Sequence, residues 1–416
     1  MKKRRLVVIG GGAAGFFCAV NAARLDPDLD VQLLEKSNKL LSKVRVSGGG
    51  RCNVTHASPG IADLAKNYPR GGAFLKKSFH HFFVTDTIQW FEERGVKLKT
   101  EADGRMFPVS NSSETIIECL VKEANRYGVN IRMNKDVKKV KVKNENLSPD
   151  QKRFELVFAN GETETADFIC FATGGKPKLP DYEWIQDTDH QVADPVPSLF
   201  TFNMPGNPVT ELMGVAVENA TVKIAGTKLA ETGPLLITHW GMSGPAVLKL
   251  SAWGARLLKD MNYVFTAFIN WVPAYNENTI REDFQQWRFS LATQKISNRN
   301  PLSLPSRLWE YLLKRSDIPI DIRWSDLPAI AQNKLIKNLC TCEFPVNGKT
   351  TFKEEFVTAG GVELNQVDFN TAQSKLIPGL FFCGEVLDAD GVTGGFNFQQ
   401  AWTTGWIAAK AIAEGK

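Results

Sequence analysis

The spacing of apolar and polar positions changes along this chain and divides it into three parts. The first 35 residues hold a short apolar run, a stretch of small residues at helical spacing and a second apolar run, which predict a strand, a helix and a strand. From about 194 to 268, short alternating stretches broken by prolines and glycines predict a small β-barrel or sandwich. From about 276 to 339 the apolar spacing is helical, and after 352 the α/β pattern returns.

Within these parts the pattern predicts further elements. Helices are expected near 85–94, 282–290, 305–315, 326–337 and 398–413, with another from Asn111-x-x-Glu114, a capping-box pattern, to Tyr127. Strands are expected at 129–131, 137–142, 154–158 and 166–172, with a polar turn over 143–152, and at 380–385. The simplest arrangement is a nucleotide-binding domain interrupted by an insertion. Its predicted bounds are 1–190 and 352–416 for the domain and 191–351 for the insertion, with barrel segments at 191–270 and 340–351 and a helical subdomain at 271–339.

Composition excludes several classes of protein. Of 416 residues, 43% are hydrophobic and 23% charged, which is ordinary for a globular protein. No apolar run reaches the roughly 18 residues that span a membrane, and a net charge of +5 gives no clear indication of a nucleic-acid partner. Seven scattered cysteines without C-x-x-C favour reduced thiols and a cytoplasmic location. Five histidines lack ligand-like spacing, so no metal site is expected. A secretory signal at the basic N-terminus is disfavoured because three consecutive glycines interrupt its apolar segment.

The segment after the first predicted strand carries the strongest chemical signal. Gly10, Gly12 and Gly15 form G-x-G-x-x-G, and Glu35 ends the second apolar run twenty residues after Gly15. Glycines there permit a tight turn, close approach of a pyrophosphate and close helix packing, while the helix N-terminus favours phosphate. The carboxylate can accept from a ribose hydroxyl. This pattern predicts a dinucleotide site, which also includes Ala13 and Ala14.

Three later segments add backbone donors to the same predicted site. The second is Ser47-Gly48-Gly49-Gly50-Arg51-Cys52-Asn53, which suits phosphate, ribitol or an electron-rich ring edge. The third is Ala172-Thr173-Gly174, after a buried strand. The fourth comprises Gly384, Glu385, Asp388, Gly394, Gly395, Phe396, Asn397 and Phe398, where Asp388 can reach a ribitol hydroxyl and the glycine pair begins the last helix. Because both chain ends contribute, FAD fits better than NAD, and a helix N-terminus can stabilise negative charge on a reduced flavin.

These segments resemble the bacterial flavoproteins called YhiN-like or BaiN-like, described as NAD(P)/FAD-dependent oxidoreductases and including aminoacetone oxidase-like members. The resemblance rests on the glycine turn with Glu35-Lys36, on SGGGRCN at 47–53, on GRMFP at 104–108 and on LLITHWGMSGP at 235–245. It continues with TAGGV at 358–362 and CGEVLDADGVTGGFNFQQAW at 383–402.

The resemblance implies an α/β fold: a discontinuous FAD domain of Rossmann type, like that of glutathione reductase, with an inserted β-barrel and a small helical subdomain. The expected FAD-binding residues then also include Lys36, Lys43 and Val137. Two departures stand out. Leu41-Ser42 replaces the Gly-Arg that commonly precedes the lysine corresponding to Lys43. Lys176–Trp184 replaces a serine- and glycine-rich loop that resembles a phosphate-binding loop.

Four residues are candidates for a catalytic role. His239 and Trp240 lie in a loop-like part of the insertion, which we expect to form one wall of the substrate site, and His239 is either a general base there or, as we favour, a structural residue beside an aromatic one. Arg105 is equally consistent with a substrate anchor and a turn residue paired with an acid. Cys52 is either a redox thiol beside the flavin or, as we favour, a small packed residue.

The function expected is that of an oxidoreductase with non-covalent FAD, transferring hydride to or from an unidentified small molecule. No second G-x-G-x-x-G marks a separate NAD domain, so NAD(P)H would bind transiently as electron donor, or oxygen would be the acceptor. The alternative enzyme is an aminoacetone-like amine oxidase that produces hydrogen peroxide. The alternative from another class is a flavin-dependent sensor or RNA-associated protein with little turnover. The oligomeric state is left open.

Overall fold

The computed structural model of the chain describes residues 3–143, 153–350 and 357–415. Its strands are β1 (Arg5–Ile9), β2 (Asp30–Leu34), β3 (Thr55–His56), β4 (Leu98–Thr100), β5 (Arg105–Pro108), β6 (Asn130–Arg132), β7 (Val137–Val142), β8 (Phe154–Phe158), β9 (Thr163–Ala166), β10 (Phe168–Phe171), β11 (Val192–Ser198), β12 (Thr201–Asn203), β13 (Ala216–Ile224), β14 (Ala230–Thr238), β15 (Gly241–Ser243), β16 (Val264–Asn270), β17 (Cys342–Asn347), β18 (Lys349–Thr350), β19 (Val357–Val362) and β20 (Leu380–Phe382).

The α-helices follow the same order along the chain. They are α1 (Ala13–Leu25), α2 (Ser42–Gly50), α3 (Ile61–Ala65), α4 (Gly72–Ser78), α5 (Val84–Glu92), α6 (Ser113–Arg126), α7 (Glu183–Gln186), α8 (Pro245–Trp253), α9 (Ala255–Asp260), α10 (Glu277–Ser290), α11 (Ser306–Arg315), α12 (Ala329–Cys340) and α13 (Phe396–Ala413). Among the described residues, no helix combines the length and apolar character needed to span a membrane.

The chain forms two compact units, Met1–Ser198 with Lys353–Lys416, and Leu199–Phe352. The first is built on a parallel sheet in the order β20-β10-β1-β2-β6. Strands β1 and β10 at its centre and β20 at its edge are almost wholly apolar and buried, as expected when helices cover a parallel sheet. The fold is α/β with a Rossmann-type core, as the sequence predicted.

Helices α1 and α13 pack closely in the first unit. A Cβ placed at Gly405 of α13 would lie 2.8 Å from the carbonyl oxygen of Ala14, so only glycine permits this approach. Phe17, Trp90 and Trp402 meet beneath the contact with ring centroids about 5 Å apart. The first and last elements of the chain are thereby joined in one core.

The second unit contains an antiparallel seven-stranded sheet in the order β17-β16-β13-β14-β15-β12-β18. From Ala220 to Ile224 of strand β13, alternate side chains are apolar and buried, which is the period of two typical of a half-buried strand. Helices α8 to α12 belong to the same unit, and Trp271, Trp309 and Trp324 are fully buried in its core.

Several sequence predictions need correction. The strand predicted over 166–172 is two strands, β9 and β10, separated at Asp167. By contrast, the glycine-rich loop predicted from Ser47 is confirmed, because the backbone of α2 leaves the helical conformation at Ser47, Gly48 and Gly49. The N-cap predicted at Asn111 is Ser112, whose hydroxyl accepts from the backbone N–H of Glu114.

The expected insertion start at 191 falls just before β11, which pairs antiparallel with β19. That pairing places β11 in the first unit, so the second unit begins at Leu199. The expected boundary at 352 and most of the polar turn over 143–152 lie outside the described residues.

Candidate functional site

The turn after β1 requires glycine at two positions and leaves a third open. Gly10 has φ of 122°, and a Cβ there would lie 2.3 Å from the carbonyl oxygen of Ala172. A Cβ at Gly15 would lie 1.9 Å from the carbonyl oxygen of Gly10. A Cβ at Gly12 would meet no atom within 4 Å. The first two glycines are therefore required by the fold, whereas Gly12 faces space that a ligand can use. Ala13 and Ala14 begin α1 at this turn.

The carboxylate of Glu35 is held against this turn. One oxygen accepts from the backbone N–H of Gly11 at 2.9 Å, and the other accepts from the N–H and hydroxyl of Ser37 at 2.9 and 2.8 Å. The predicted ribose-binding acid is thus fixed in position, and one lone pair remains on the oxygen that accepts from Gly11. Lys36 follows it and is exposed.

The SGGGRCN segment turns sharply at its glycines. Ser47 has ψ of 146°, and Gly48 and Gly49 have φ of 60° and 69°, so the helical path is interrupted there. A Cβ at Gly49 or at Gly50 would meet no atom within 4 Å. This segment therefore presents open backbone, the property that made it a candidate for phosphate or ring contacts.

The polar end of that segment is committed to protein partners. Arg51 donates to Glu101 at 2.7 Å and lies 4.0 Å above the ring of Phe107. The amide of Asn53, in the orientation that satisfies both ends, donates to Thr55 O and accepts from Gly395 N at 3.0 Å each. Asn53 therefore ties this segment to the start of α13.

Cys52 is fully buried and has φ of 61°. Burial raises the pKa of its thiol to about 12, against a smaller lowering by a hydrogen bond with Ser47. A thiol with that pKa stays protonated at physiological pH, and the thiolate is the nucleophilic form. The packed-residue interpretation of Cys52 is the one its surroundings favour.

The third segment follows β10. Ala172 donates to Ile9 O at 2.9 Å, Thr173 is half-buried, and Gly174 has φ of 68° with no atom within 4 Å of a Cβ placed there. A Cβ at Gly175 would lie 2.4 Å from the hydroxyl of Thr358. That hydroxyl is buried, and none of the described residues forms a hydrogen bond with it.

Glu385 links Thr358, at the start of β19, to Lys43 of α2. It accepts from Thr358 N at 2.9 Å and forms an ion pair with Lys43 at 2.6 Å. Two predicted binding residues, Lys43 and Glu385, therefore engage each other. Gly384 donates to the hydroxyl of Thr404 at 2.8 Å, which anchors the same stretch to α13.

The C-terminal turn is held at several atoms. His56 Nδ1 lies 3.0 Å from the carbonyl oxygen of Gly394, and its ring stacks on Phe396 at 4.6 Å. Gly395 has φ of 97° and is the N-cap of α13. Asn397 exchanges two hydrogen bonds with Gly391 at 2.8 and 2.9 Å.

Two further residues of the fourth segment were expected to bind the cofactor. Phe398 stacks on Trp402 within the core at 5.8 Å, and the half-buried Asp388 donates its backbone N–H to Val362 O at 2.9 Å.

Sequence reasoning missed a buried ion pair beside this turn. Arg70 donates two hydrogen bonds to Asp390, whose side chain is fully buried, and Ser198 donates to the same carboxylate at 2.8 Å. Tyr68 donates to Phe396 O at 2.7 Å. Arginine and aspartate 320 residues apart leave no signal in local spacing, but the polar Asp388-x-Asp390 in an apolar stretch could have drawn attention to the acid.

The remaining candidates lie elsewhere. Arg105 pairs with Glu101 and Asp103, at 3.2 and 2.7 Å. Val137 is buried in β7 within the small sheet β7-β8-β9. His239 and Trp240 form the turn between β14 and β15 in the second unit, with ring centroids 4.2 Å apart.

All four glycine segments thus meet in the first unit. The ends of β1, β2, β10 and β20 form one edge of its parallel sheet, since Ile9 is in register with Leu34 and Phe171, and Phe171 with Phe382. Ligands of open α/β sheets bind outside the carboxyl ends of the strands. The arrangement can hold an extended, phosphate-bearing ligand.

Comparison with known proteins gives a consistent answer. Residues 4–411 match the family described as HI0933-like protein Rossmann domain. The chain is 31% identical over its full length, and that of the relative, to the ribosomal RNA dihydrouridine synthase of Escherichia coli K12. It is 28% identical to the 3-dehydro-bile acid delta(4,6)-reductase of Clostridium scindens, over 99% of each chain.

Among solved structures, the 3-ketosteroid delta1-dehydrogenase of Sterolibacterium denitrificans is similar in fold, with a TM-score of 0.52, 13% identity and 99% of each chain covered. The resemblance stated from the motifs is confirmed: the chain belongs to the HI0933-like family with its Rossmann domain.

Proposed function

We propose that this protein is an FAD-dependent reductase that adds hydrogen across a carbon–carbon double bond conjugated to a carbonyl, with uridine in ribosomal RNA as its substrate. The observation that carries the proposal is full-length similarity, at 31% identity, to a ribosomal RNA dihydrouridine synthase. The bile-acid relative is named for reduction of Δ4,6 double bonds, so both names describe one type of bond change. An RNA substrate departs from the small molecule expected from the sequence.

The residues at the sheet edge fit FAD. Backbone positions 12, 49, 50 and 174 are open, and the buried hydroxyl of Thr358 lacks a hydrogen-bond partner among the described residues. The N-terminus of α1 offers N–H groups to a diphosphate, and Glu35 is fixed where a ribose hydroxyl can bind. The N-terminus of the 18-residue helix α13 can stabilise negative charge on the flavin ring.

The proposed reaction balances with a reduced nicotinamide nucleotide as electron donor. Bound FAD would carry the electron pair from donor to substrate. In uridine the C5=C6 π bond breaks, hydride bonds to C6, which is the carbon β to the C4 carbonyl, and a proton bonds to C5. The products are dihydrouridine and the oxidised nicotinamide nucleotide.

The test starts with purified protein, which should be yellow and release FAD into the supernatant on acid precipitation. The holoenzyme is then mixed with NADPH or NADH and ribosomal RNA from cells lacking this gene, and dihydrouridine is measured by mass spectrometry of digested RNA. The matched control is Gly12→Val. Protein unable to bind FAD would refute the cofactor.

Parallel assays separate the alternatives. Hydrogen peroxide formed with an amine panel would favour the amine oxidase, and NADPH-dependent loss of a conjugated dienone steroid without RNA modification would favour a bile-acid-like substrate. A flavin that none of these reagents reduces or reoxidises would support the sensor.

A further inference from the structure

The segment Lys176–Trp184 is the part of the chain that departs from the family loop, and its first residue is held in place. Lys176 donates its backbone N–H to the hydroxyl of Tyr182 at 2.9 Å, and the ring of Tyr182 is fully buried. A short 3₁₀ turn over Leu179–Tyr182 then leads into α7. Lys176 is therefore positioned by a folded loop.

The strand order brings lysines to both sides of the glycine turn. Strand β1 lies between β10 and β2 in the sheet, and Ile9 is in register with Phe171 and Leu34. Lys36 follows the end of β2 by two residues, and Lys176 follows the end of β10 by five. The turn Gly10–Gly12 lies between these two strand ends.

A third lysine approaches from α2. The N–H of Leu41 donates to Gly11 O at 2.9 Å, which ties the start of α2 to the same turn, and Lys43 lies in its first turn. Lys43 is neutralised by Glu385 at 2.6 Å. Within the described ranges, neither Lys36 nor Lys176 has a carboxylate within ion-pair distance.

The acidic side chains near Lys176 do not compensate its positive charge, because its pKa is still lowered. Burial is the main cause that lowers its pKa, and repulsion from Lys36 and, more weakly, Lys43 adds to this, while Asp181 and Glu35 oppose it. Lys176 is half-buried, and a partly buried cation without an ion pair is costly unless an opposite charge is supplied. Glu35 is already engaged by Gly11 and Ser37.

We propose that Lys176, together with Lys36, binds the diphosphate of the dinucleotide. The open positions at Gly12 and Gly174, at the ends of β1 and β10, provide room for phosphate oxygens. The inference rests on the proposed FAD cofactor. A dinucleotide diphosphate also occurs in NAD(P)H, and the experiment distinguishes the two sources.

The experiment compares Lys176→Met with Lys178→Met, a control that removes an exposed lysine two residues away on the same loop. Apoprotein is titrated with FAD, ADP and riboflavin. Since a charge-assisted hydrogen bond is worth roughly 10–100-fold in affinity, Lys176→Met should weaken FAD and ADP by about that factor. Riboflavin, which lacks phosphate, should bind both variants as it binds the wild type.

Two further measurements separate ligand binding from a structural role. Lys176→Met should weaken the salt dependence of FAD affinity, and Lys176→Arg should restore most of the affinity. Because a charged lysine with a lowered pKa opposes folding at neutral pH, apo Lys176→Met should melt at the same temperature as the wild type or higher. A lower apo melting temperature with unchanged ADP affinity would overturn the inference.

The remaining outcomes are also decisive. Unchanged FAD and ADP affinity in Lys176→Met refutes the role of the lysine even where FAD binding stands. A raised KM for NADPH with unchanged FAD affinity assigns the lysine to the transient donor and overturns the FAD assignment. Wild-type protein that binds ADP through Lys176 but no flavin refutes the proposed cofactor and supports the diphosphate site.

Discussion

At the scale of single residues, the two glycines Gly12 and Gly15 serve different purposes although they belong to one motif. A side chain at Gly15 would collide with the backbone of Gly10, whereas one at Gly12 would extend into free space. The motif in the sequence already predicts different roles for them, close approach of a pyrophosphate at Gly12 and close helix packing at Gly15. The structure adds the physical reason at Gly15, where a Cβ would lie 1.9 Å from the carbonyl oxygen of Gly10.

This difference predicts opposite outcomes for matched substitutions. Gly12→Val should leave the apoprotein folded, with a melting temperature close to wild type, and abolish FAD binding because the side chain occupies the diphosphate's place. Gly15→Ala should lower apo stability because the backbone must shift. Circular dichroism melts and FAD titrations of both variants provide the test, and an unfolded apo Gly12→Val would contradict it.

Cys52 offers a second prediction at this scale. With its pKa near 12, the thiol remains protonated from pH 6 to 9, so Cys52→Ala should leave FAD affinity and the pH profile of kcat unchanged. The cavity left by the sulfur should cost about 1 kcal/mol of stability. Cys119→Ala, another buried thiol, is the control. A pH profile altered only in Cys52→Ala would show that the thiol takes part in the reaction.

Leu41 shows what a family departure does locally. It has φ of 54°, in the left-handed region that favours glycine, and its side chain is buried. The glycine commonly present there in the family suits this backbone without strain. In this chain the burial of a leucine side chain offsets a backbone cost of about 1–2 kcal/mol.

At the scale of secondary structure, an element can be predicted from the sequence when residues close to it in the chain determine its conformation. The unit β1–turn–α1 was predictable because apolar runs and glycines within 25 residues determine it. The glycine-rich loop from Ser47 was predictable for the same reason, since Ser47, Gly48 and Gly49 leave the helical path. The helical residues before it, from Ser42, were not predicted.

The buried ion pair between Arg70 and Asp390, beside the turn before α13, joins two distant segments, and the sequence alone could not reveal it. Arg70 and Asp390 also form a backbone bridge, and Asn67 O accepts from Val392 N at 2.9 Å. The segments around residues 70 and 390 are therefore held together by side chains and backbone alike. Removing one partner leaves the other charge buried without compensation.

Arg70→Met should accordingly destabilise the apoprotein by about 3–5 kcal/mol, measured by urea unfolding. Arg4→Met, which breaks the exposed pair with Asp26, should change stability by less than about 1 kcal/mol.

The loss in Arg70→Met should also depend on pH. Burial already raises the pKa of Asp390 despite Arg70, and losing the arginine raises it further. The carboxylate's penalty then applies above that pKa and disappears as pH falls through it, so the loss should shrink in acid. A loss independent of pH would mean that packing, not charge, dominates.

At the scale of the whole molecule, sequence composition separated two kinds of architecture but misplaced the strand at their boundary. The residues of β11 lie next to those of the second unit in sequence, yet β11 pairs with β19, about 160 residues later. Long-range pairing is set by which edges remain free once the cores form, and periodicity carries no information about it. The convergence of four glycine segments was predictable only because parallel strands share one carboxyl edge.

The second unit supplies the last prediction, because the imidazole of its His239-Trp240 turn packs edge-on against the ring of Trp240 and is otherwise exposed. His239 is exposed, while Trp240 is half-buried and donates to Thr201 at 3.0 Å. If His239 contacts substrate, His239→Ala should slow flavin reduction or reoxidation by substrate in stopped-flow experiments, with FAD affinity unchanged. His80→Ala, an exposed histidine of the first unit, is the control.

Two variants test Trp240. Trp240→Phe removes the hydrogen bond to Thr201 and keeps an aromatic ring, whereas Trp240→Ala removes both. A rate loss confined to Trp240→Ala therefore indicates a contact between the ring and the substrate. Wild-type rates in all three variants at His239 and Trp240, for each substrate that reacts, would leave this turn with a structural role alone.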